Sequence, residues 1–222
     1  MIKTVIFDLD GTLLDTLTDL TDSVNFMLST LDLPLRTREE VCSYVGNGVP
    51  KLVERAIGIE NQKLYSFALK TFLAHYSNNL ANATAPFDGI EEALRELKKK
   101  DISLAVVSNK VDSATKTLIE MYFPKVFDFV AGTSDIVRTK PSTDLVDLCL
   151  HTLIADKATT IFVGDSDVDV MTARNANLLS VGVAWGFRGG DFLKKVGADF
   201  VVDTPKQLVS VICGIGTQTI KI

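Results

Sequence analysis

Short apolar runs alternate with segments of helical periodicity from residue 87 onward, and this alternation constrains the fold more than any other feature. A further apolar run, residues 3–7, opens the chain. Near-continuous apolar strands separated by helices are typical of a parallel sheet that is covered by helices. The sequence therefore predicts an α/β fold with a doubly wound, Rossmann-like sheet. The predicted strands are 103–107, 129–131, 160–163, 180–183 and 200–202, and the predicted helices are 90–100, 112–121, 143–153, 168–176 and 205–212.

The segment between the first strand and this alternating series is helical in pattern and contains no convincing strand. Its apolar residues repeat at helical spacing, Thr37 to Glu40 is typical of a capping box, and Pro50 suits a first helical turn. Two linkers would join this segment to the sheet and form a hinge, so we expect a lid, with a fixed helical insertion as the alternative. The predicted division is an α/β core (1–15 and 86–222) with an inserted all-helical cap domain (16–85), joined near 15–17 and 82–86.

The composition excludes several classes of protein. The chain has 222 residues, 46% of them hydrophobic, so it can bury a large core. Its 28 acidic and 23 basic residues give a net charge of -5 without a large basic block, so nucleic-acid binding is not expected. No apolar stretch approaches the ~20 residues that span a bilayer, and the three cysteines lack metal-site spacing. We expect a soluble cytoplasmic protein with reduced cysteines and no membrane partner, either a monomer or a homodimer.

Two acids, Asp8 and Asp10, follow the first strand and precede a glycine turn. Side chains alternate along a strand, but the chain can curl at a strand end, so both carboxylates can face one pocket above the sheet edge. Two acids in one pocket need a cation. Gly11 and Thr12 add backbone N–H groups and a hydroxyl for an anion, which open α/β sheets bind at the carboxyl ends of their strands. The pattern indicates phosphoryl transfer, whereas an Asx-turn at Asp10 is the structural alternative.

Two further polar clusters follow predicted strands and are expected at the same sheet edge. Ser108 and Asn109, followed by Lys110, close the strand 103–107 and could hold a phosphoryl oxygen. Lys140, which precedes a proline, could neutralise the transferring group and position the nucleophile. A polar turn and a solvated surface lysine are the respective alternatives.

A third cluster is acidic. Asp165 ends the strand 160–163, and Asp169 lies one helical turn further on and faces the same side. Converging acids repel one another strongly unless a cation offsets them. The sequence predicts Mg²⁺, because this ion prefers oxygen ligands and no histidine or cysteine lies in any of these clusters. One or two of the acids could instead be helix-capping residues.

Four motifs of the chain resemble, in order and spacing, those of the haloacid-dehalogenase-like hydrolases, and the resemblance spans nearly the whole sequence. The motifs are residues 8–13, Ser108, Lys140 and residues 164–169. The resemblance implies that Asp8 is the nucleophile, forming an aspartyl-phosphate, and that Asp10 is the general acid and base. It also implies that Mg²⁺ is bound by Asp8, the Asp10 carbonyl and Asp165, with Asp169 as a ligand or its partner, and that the phosphoryl oxygens are bound by Thr12, Ser108, Asn109 and Lys140.

Formal charges of this predicted site suggest which acid holds a proton. Its four aspartates sum to -4, and Mg²⁺ with Lys140 restores only +3. One acid is therefore expected to be protonated, and we assign that proton to Asp10 because the leaving group must be protonated.

Specificity is expected to come from the predicted cap. Gly46, Asn47 and Gly48 precede a helix N-terminus, a place that suits an anion such as a substrate carboxylate, and Lys51 and Arg55 lie one helical turn apart. The expected substrate is a small, acidic phosphorylated metabolite. A turn shaped by glycines beside two solvated cations is the alternative.

Other functions share parts of this pattern. A phosphate-moving mutase would use the same aspartate pair, and phosphatases of nucleotides, pyrophosphate or sugar phosphates are close alternatives. A dehalogenase needs neither Asp10 nor a metal and is disfavoured. A phospho-accepting signalling module also places acids and a lysine around Mg²⁺, but it needs no lid, so the helical insertion favours an enzyme.

Overall fold

A parallel sheet forms the centre of the protein. The computed structural model describes residues 1–134 and 136–215, and within these residues six strands form the sheet in the order β5-β4-β1-β6-β7-β8. All neighbours in this sheet are parallel. The strands of the protein are β1 (Thr4–Phe7), β2 (Leu14–Asp15), β3 (Ala85–Pro86), β4 (Ser103–Val111), β5 (Phe129–Thr133), β6 (Thr160–Gly164), β7 (Leu179–Val183) and β8 (Phe200–Val202).

Helices cover both faces of the sheet. The residues of β1 alternate in direction, so Val5 and Phe7 pack with helices α5, α6 and α10, while Ile6 packs with α7 and α8. This arrangement confirms the predicted doubly wound α/β core. The core helices are α5 (Ile90–Lys98), α6 (Asp112–Tyr122), α7 (Asp144–Leu153), α8 (Asp167–Asn175), α9 (Gly190–Val196) and α10 (Pro205–Gly214).

The inserted helices form a cap with its own hydrophobic cluster. Side chains such as Leu20, Val41, Leu52 and Phe72, one from each cap helix, are buried against one another. The capping box predicted at Thr37 is present at the start of the second helix. The cap helices are α1 (Leu17–Thr30), α2 (Arg38–Tyr44), α3 (Val49–Ile57) and α4 (Tyr65–Asn78). An inserted helical cap is therefore observed, whereas the division at residues 15 and 86 stays a prediction.

The two linkers pair with each other, which the sequence analysis did not anticipate. Strands β2 and β3 are antiparallel, so the chain enters and leaves the cap side by side. Asp19 on α1 is buried and accepts hydrogen bonds from the Ala83 and Thr84 backbone N–H groups and from the Thr84 hydroxyl. The base of the cap is thus fixed by a ribbon and by one carboxylate.

Several predicted element bounds were wrong. Strand β4 runs on to Val111 with a register shift after Val107, so Ser108 lies inside the strand instead of in a turn beyond it. Helix α9 was missed, because it is short and starts with a glycine. The sequence predicts no element for residues 213–222. Helix α10 continues through Gly214, and residues 216–222 lie outside the described residues.

The described cysteines are free thiols, as expected. Cys149 is buried in the core, while Cys42 and Cys213 are only partly buried. Of the helices that the structure describes, none is long and apolar enough to cross a membrane.

Candidate active site

Three buried aspartates meet at the carboxyl edge of the sheet. Asp8 follows β1 and Asp165 follows β6, and because these strands are hydrogen-bonded neighbours, the two side chains are brought together. Asp169 joins them from the first turn of α8. Each of the three residues offers a carboxylate oxygen, and these oxygens lie within 4.8 Å of one another. The structure thus assembles three of the four predicted metal-binding residues.

Glycines make this close packing possible. A Cβ at Gly164 would lie 2.3 Å from the Cβ of Asp169, and a Cβ at Gly186 would lie 2.2 Å from the Cβ of Asp165. Gly11 has a φ of +83°, which favours glycine, and a Cβ there would lie 2.3 Å from Asp165 Oδ2. These positions cannot carry a side chain without moving the acids.

Lys140 provides a buried positive charge beside the acids. Its Nζ lies 2.8 Å from Asp8 Oδ1 and 2.7 Å from Asp169 Oδ1. Burial alone would lower the pKa of Lys140, but the carboxylates of Asp169 and Asp8 outweigh it, so the net direction is upward. Lys140 is therefore a permanent cation at the predicted nucleophile.

Asn109 holds the Lys140 segment in place. Its Oδ1 accepts a hydrogen bond from the Lys140 backbone N–H at 2.7 Å, and its Nδ2 donates to the Lys140 carbonyl at 3.1 Å. The same Nδ2 donates to the carbonyl of Gly46 in the cap at 2.9 Å. The Asn109 side chain was predicted to bind phosphate, and this role stays a prediction. The hydrogen bonds just described already use both polar atoms of the amide.

The acids lack sufficient positive charge. Burial raises the pKa of Asp8 to about 6, despite attraction by Lys140, and repulsion from Asp169 adds to the rise. Burial, followed by repulsion from Asp169 and Asp8, raises the pKa of Asp165 well above its ordinary value. Clustered carboxylates whose ionised forms are disfavoured suit a divalent cation with oxygen ligands. The residues present therefore fit Mg²⁺, which Asp8, Asp165 and Asp169 would hold.

Asp169 also caps its helix, as the alternative interpretation expected. Its Oδ2 accepts hydrogen bonds from the backbone N–H and the hydroxyl of Ser166, at 3.1 and 2.6 Å. Because Oδ1 contacts Lys140, one side chain both caps α8 and completes the acidic cluster. The capping and site interpretations are compatible.

The Asp10 side chain has a different environment. Its Oδ1 accepts hydrogen bonds from Lys110 Nζ at 2.9 Å and from the Thr16 hydroxyl at 2.8 Å, and its Oδ2 lies 3.2 Å from Lys110 Nζ. The predicted role of its carbonyl in metal binding stays a prediction.

Lys110 is a residue of the candidate site that the sequence analysis did not single out: it lines the cavity, and its Nζ contacts Asp10. Its side chain is buried, and burial would lower its pKa, but the Asp10 carboxylate and the Tyr76 hydroxyl raise the pKa overall. The predicted strand ended at residue 107. Because β4 continues to Val111, Ser108 and Lys110, two residues apart, share a side of the sheet.

Lys110 also alters the charge count that predicted a protonated Asp10. Lys110, Lys140 and a bound Mg²⁺ together carry +4, which equals the charge of the four aspartates. The formal charge count therefore no longer predicts a protonated acid.

Two predicted phosphate-binding hydroxyls differ in position. Ser108 is buried and lines a cavity next to the acids, and its Oγ accepts a hydrogen bond from the Lys110 backbone N–H. Thr12 is fully buried, and among the described residues its Oγ1 has no hydrogen-bond partner. Thr12 does not line the cavity, so Ser108 is the better placed hydroxyl.

The cavity lies between the core and the cap and has a volume of about 50 Å³. Its floor includes Asp8 and Asp10, and Arg188 reaches it from the loop after β7. The guanidinium of Arg188 donates hydrogen bonds to three carbonyls around the end of α2. The cap-side lining consists of Leu20, Val45, Gly46, Gly48, Val49 and Leu52.

The structure does not bring every predicted cap residue to this cavity. Gly46 and Gly48 line it, but Lys51 is exposed and its Nζ lies 2.6 Å from a carboxylate oxygen of Glu54. Arg55 donates to Asn47 Oδ1 and to a backbone carbonyl. Arg55 and Asn47 line a separate groove at the edge of the cap.

A doubly wound core that gathers buried carboxylates and a lysine beneath a helical cap defines a class of hydrolase. The chain belongs to the haloacid dehalogenase-like hydrolase family, whose model matches residues 5–183. This result confirms the resemblance found in the sequence motifs.

Several relatives within this family are described as phosphoglycolate phosphatases. A phosphoglycolate phosphatase from Nitrosococcus oceani is 32% identical over 207 residues, which cover 90% of this chain and 92% of the relative. Another from Pseudomonas syringae pv. syringae is 30% identical over 215 residues, covering 93% of this chain and 78% of the relative. The crystal structure of a candidate phosphoglycolate phosphatase from Lactobacillus delbrueckii subsp. bulgaricus has a TM-score of 0.89 and 33% identity, covering 95% of this chain and 98% of the other. Family and relatives together identify the chain as a phosphatase.

Proposed function

We propose that this phosphatase hydrolyses a small acidic phosphoester, 2-phosphoglycolate, in a Mg²⁺-dependent reaction with an aspartyl-phosphate intermediate. The observation that carries the proposal is the position of Asp8, which lines the cavity while its Oδ1 lies 2.8 Å from Lys140 Nζ. A carboxylate beside a fixed ammonium, at the floor of a cavity, is suited to attack a bound phosphoryl group.

In the first step, a carboxylate oxygen of Asp8 forms a bond to phosphorus while the bond from phosphorus to the ester oxygen breaks. Asp10 gives its proton to that oxygen, which leaves as an alcohol. In the second step, Asp10 takes a proton from water, the water oxygen bonds to phosphorus, and the bond to Asp8 breaks.

The remaining core residues hold the transferring group. The Ser108 hydroxyl lines the cavity and can donate to a phosphoryl oxygen. The Lys140 ammonium is buried beside Asp8 and supplies positive charge there, and Asn109 keeps the Lys140 segment in place. When bound, Mg²⁺ supplies positive charge that offsets both the acids and the phosphoryl oxygens. Asp169 fixes the Lys140 side chain from the opposite side.

The small volume of the cavity between core and cap supports a small substrate. A volume of about 50 Å³ is far below the roughly 300 Å³ at which ordinary ligand pockets begin, so the cap must move before a phosphoester can bind. The apolar and glycine lining of the cap side leaves little room beyond the phosphoryl group. Two segments, 45–56 and 182–188, resemble those of phosphoglycolate phosphatases, and the relatives named above carry that description.

The test compares two aspartate variants with the wild-type enzyme. Asp8→Asn should abolish turnover and acid-labile phosphoenzyme without unfolding the protein, because the replacement is nearly isosteric. Asp10→Asn should allow phosphoenzyme to form slowly and to persist, because water then lacks a base. Substantial activity in Asp8→Asn would refute the assignment of the nucleophile.

A screen of small phosphoesters, with Mg²⁺ and with EDTA, addresses the substrate. We expect the highest kcat/KM for 2-phosphoglycolate and loss of turnover with EDTA. Analysis of the products separates hydrolysis, which releases inorganic phosphate, from transfer of phosphate within a sugar phosphate. A higher kcat/KM for a nucleotide or pyrophosphate would overturn the proposed substrate and retain the phosphatase.

A further inference from the structure

The cap contributes a side chain to the group of residues around Asp10. Tyr76 lies near the end of α4, and its hydroxyl accepts a hydrogen bond from Lys110 Nζ. The same Nζ contacts both carboxylate oxygens of Asp10, at 2.9 and 3.2 Å. One ammonium therefore joins a cap hydroxyl to the acid that the proposed mechanism uses for proton transfer.

This linkage is buried. Tyr76 is 3% exposed and Lys110 is 4% exposed, so water cannot readily replace either partner. The ammonium also lies 4.7 Å from the centre of the Tyr76 ring, a favourable cation–π distance. A buried ammonium needs hydrogen-bond acceptors on several sides. Among the described residues, Tyr76 supplies the one acceptor of Lys110 Nζ that does not belong to Asp10.

The three residues belong to different parts of the fold. Lys110 lies on strand β4 of the core, and Asp10 follows β1, whereas Tyr76 belongs to the cap helix α4. When the cap is closed over the core, the Tyr76 hydroxyl holds the Lys110 ammonium in place, and the ammonium in turn holds the Asp10 carboxylate. Displacement of the cap removes one of these acceptors, so the ammonium and the carboxylate gain alternative positions.

We propose that Tyr76 is a positioning residue for Asp10, acting through Lys110, so that proton transfer is efficient only when the cap is seated. This inference rests on the proposed function, in which Asp10 transfers the proton. It concerns neither the nucleophile nor phosphate binding, because no hydrogen bond of the described residues joins Tyr76 to Asp8 or Lys140. Both steps use Asp10, so both are expected to depend on Tyr76 when the leaving group needs a proton. When the leaving group departs without a proton, only the second step is expected to depend on Tyr76.

Tyr76→Phe tests the proposal, because it removes the hydroxyl and keeps the ring above the ammonium. Tyr122→Phe is the matched control, since the Tyr122 hydroxyl donates to the Thr84 carbonyl in the cap linker, away from Asp10. With 2-phosphoglycolate, we expect Tyr76→Phe to lower kcat by about tenfold, because loss of positioning removes only part of the roughly 10²- to 10⁴-fold that acid–base catalysis contributes. KM should change by less than about twofold.

p-Nitrophenyl phosphate separates the two steps, because its leaving group departs without a proton. In a stopped-flow experiment, Tyr76→Phe should release a first equivalent of nitrophenolate at nearly the wild-type rate and then turn over slowly, with phosphoenzyme accumulating. Lys110→Met should also show a fast first release of nitrophenolate followed by slow turnover. This second variant keeps the test valid if thermal unfolding shows that Tyr76→Phe is unstable.

Two results would overturn the inference. Tyr76→Phe could match Tyr122→Phe in both assays, or it could raise KM without lowering kcat, which would mean that the hydroxyl only stabilises the closed cap. Both results leave the proposed function intact, provided that the wild-type enzyme forms phosphoenzyme. A wild-type enzyme without phosphoenzyme would refute the proposed function itself.

Discussion

Replacing Asp8 with asparagine is expected to stabilise the protein while it removes the proposed nucleophile. The reason is that the Asp8 carboxylate is buried beside two other acids, and its ionised form is disfavoured in the folded state. Asparagine has nearly the shape of the neutral acid. In the absence of a divalent cation, Asp8→Asn therefore removes an unfavourable charge and leaves Lys140 paired with Asp169.

The magnitude follows from the shift in pKa. A rise from 3.8 to about 6 means that the folded protein binds the Asp8 proton more tightly than the unfolded chain does. The resulting penalty is absent below the unfolded pKa, grows through this window and is complete above the folded pKa. The full penalty is about 3 kcal/mol at about pH 7.5 and falls to about 1 kcal/mol at about pH 4.5.

Urea unfolding in the presence of EDTA measures this effect. We expect the free energy of unfolding of Asp8→Asn to exceed that of the wild type by about 3 kcal/mol at about pH 7.5 and by about 1 kcal/mol at about pH 4.5. Asp22→Asn, at an exposed site on α1, is the control and should show no such dependence. Addition of Mg²⁺ should narrow the difference at the higher pH by stabilising the wild type.

The reasoning would be refuted by an equal difference at both pH values, or by a less stable Asp8→Asn at about pH 7.5. The first result would mean that the variant acts through packing. The second would mean that the ion pair between Asp8 and Lys140 outweighs burial.

Three further substitutions test the site and the cap. Gly164→Ala should destabilise the protein by about 2 kcal/mol in urea unfolding, because its Cβ collides with Asp169; an unchanged free energy of unfolding would argue against this close packing. Arg188→Met should raise KM by about fivefold with a smaller effect on kcat, because it removes charge-assisted hydrogen bonds between core and cap; an unchanged KM would argue against this link. Lys51→Ala should leave KM for 2-phosphoglycolate within about twofold because the lysine does not line the cavity, and a tenfold rise would support the specificity role expected from the sequence.

The sequence alone predicted the fold and the acidic cluster for the same physical reason. Alternating apolar strands and helices imply parallel strands, and parallel strands present their carboxyl ends at one edge. Any polar residue that follows such a strand is therefore placed near the others without knowledge of side-chain positions. Asp8, Asp165 and Lys140, which the structure brings together, were identifiable on this ground.

Contacts across the fold were not predictable in this way. The role of Asn109 as a clamp on the Lys140 segment depends on a loop that begins more than one element later in the chain. The pairing of Lys110 with Asp10 depends on how β4 continues beyond its register shift, and the predicted strand ended before that point. Such interactions require coordinates, because sequence spacing does not determine which loops meet.

The apolar face of the cap helix α3 bears on the position of the two cations that were predicted to bind the substrate. Its buried residues include Val49, Leu52 and Val53, which define one apolar face of an amphipathic helix. Lys51 and Arg55 lie outside that face, and a helix that presents its apolar face to the protein directs such cations toward solvent. Helical periodicity would thus have weakened the prediction that Lys51 reaches a substrate.

The charged residues around the cavity belong to the core, and this distribution suggests different roles for core and cap. The acids, Lys110 and Lys140 all belong to the core, whereas the cap side of the cavity is apolar side chains and glycine backbone. Such a lining can exclude water and limit substrate size, but it offers an anion only backbone groups. In the proposed mechanism the chemistry therefore belongs to the core, and the cap would act on it by closing and by positioning, through Tyr76, the residue that transfers the proton. Selectivity for a small phosphoester would then follow from whether the cap can close over the substrate, because only a closed cap completes the arrangement around Asp10.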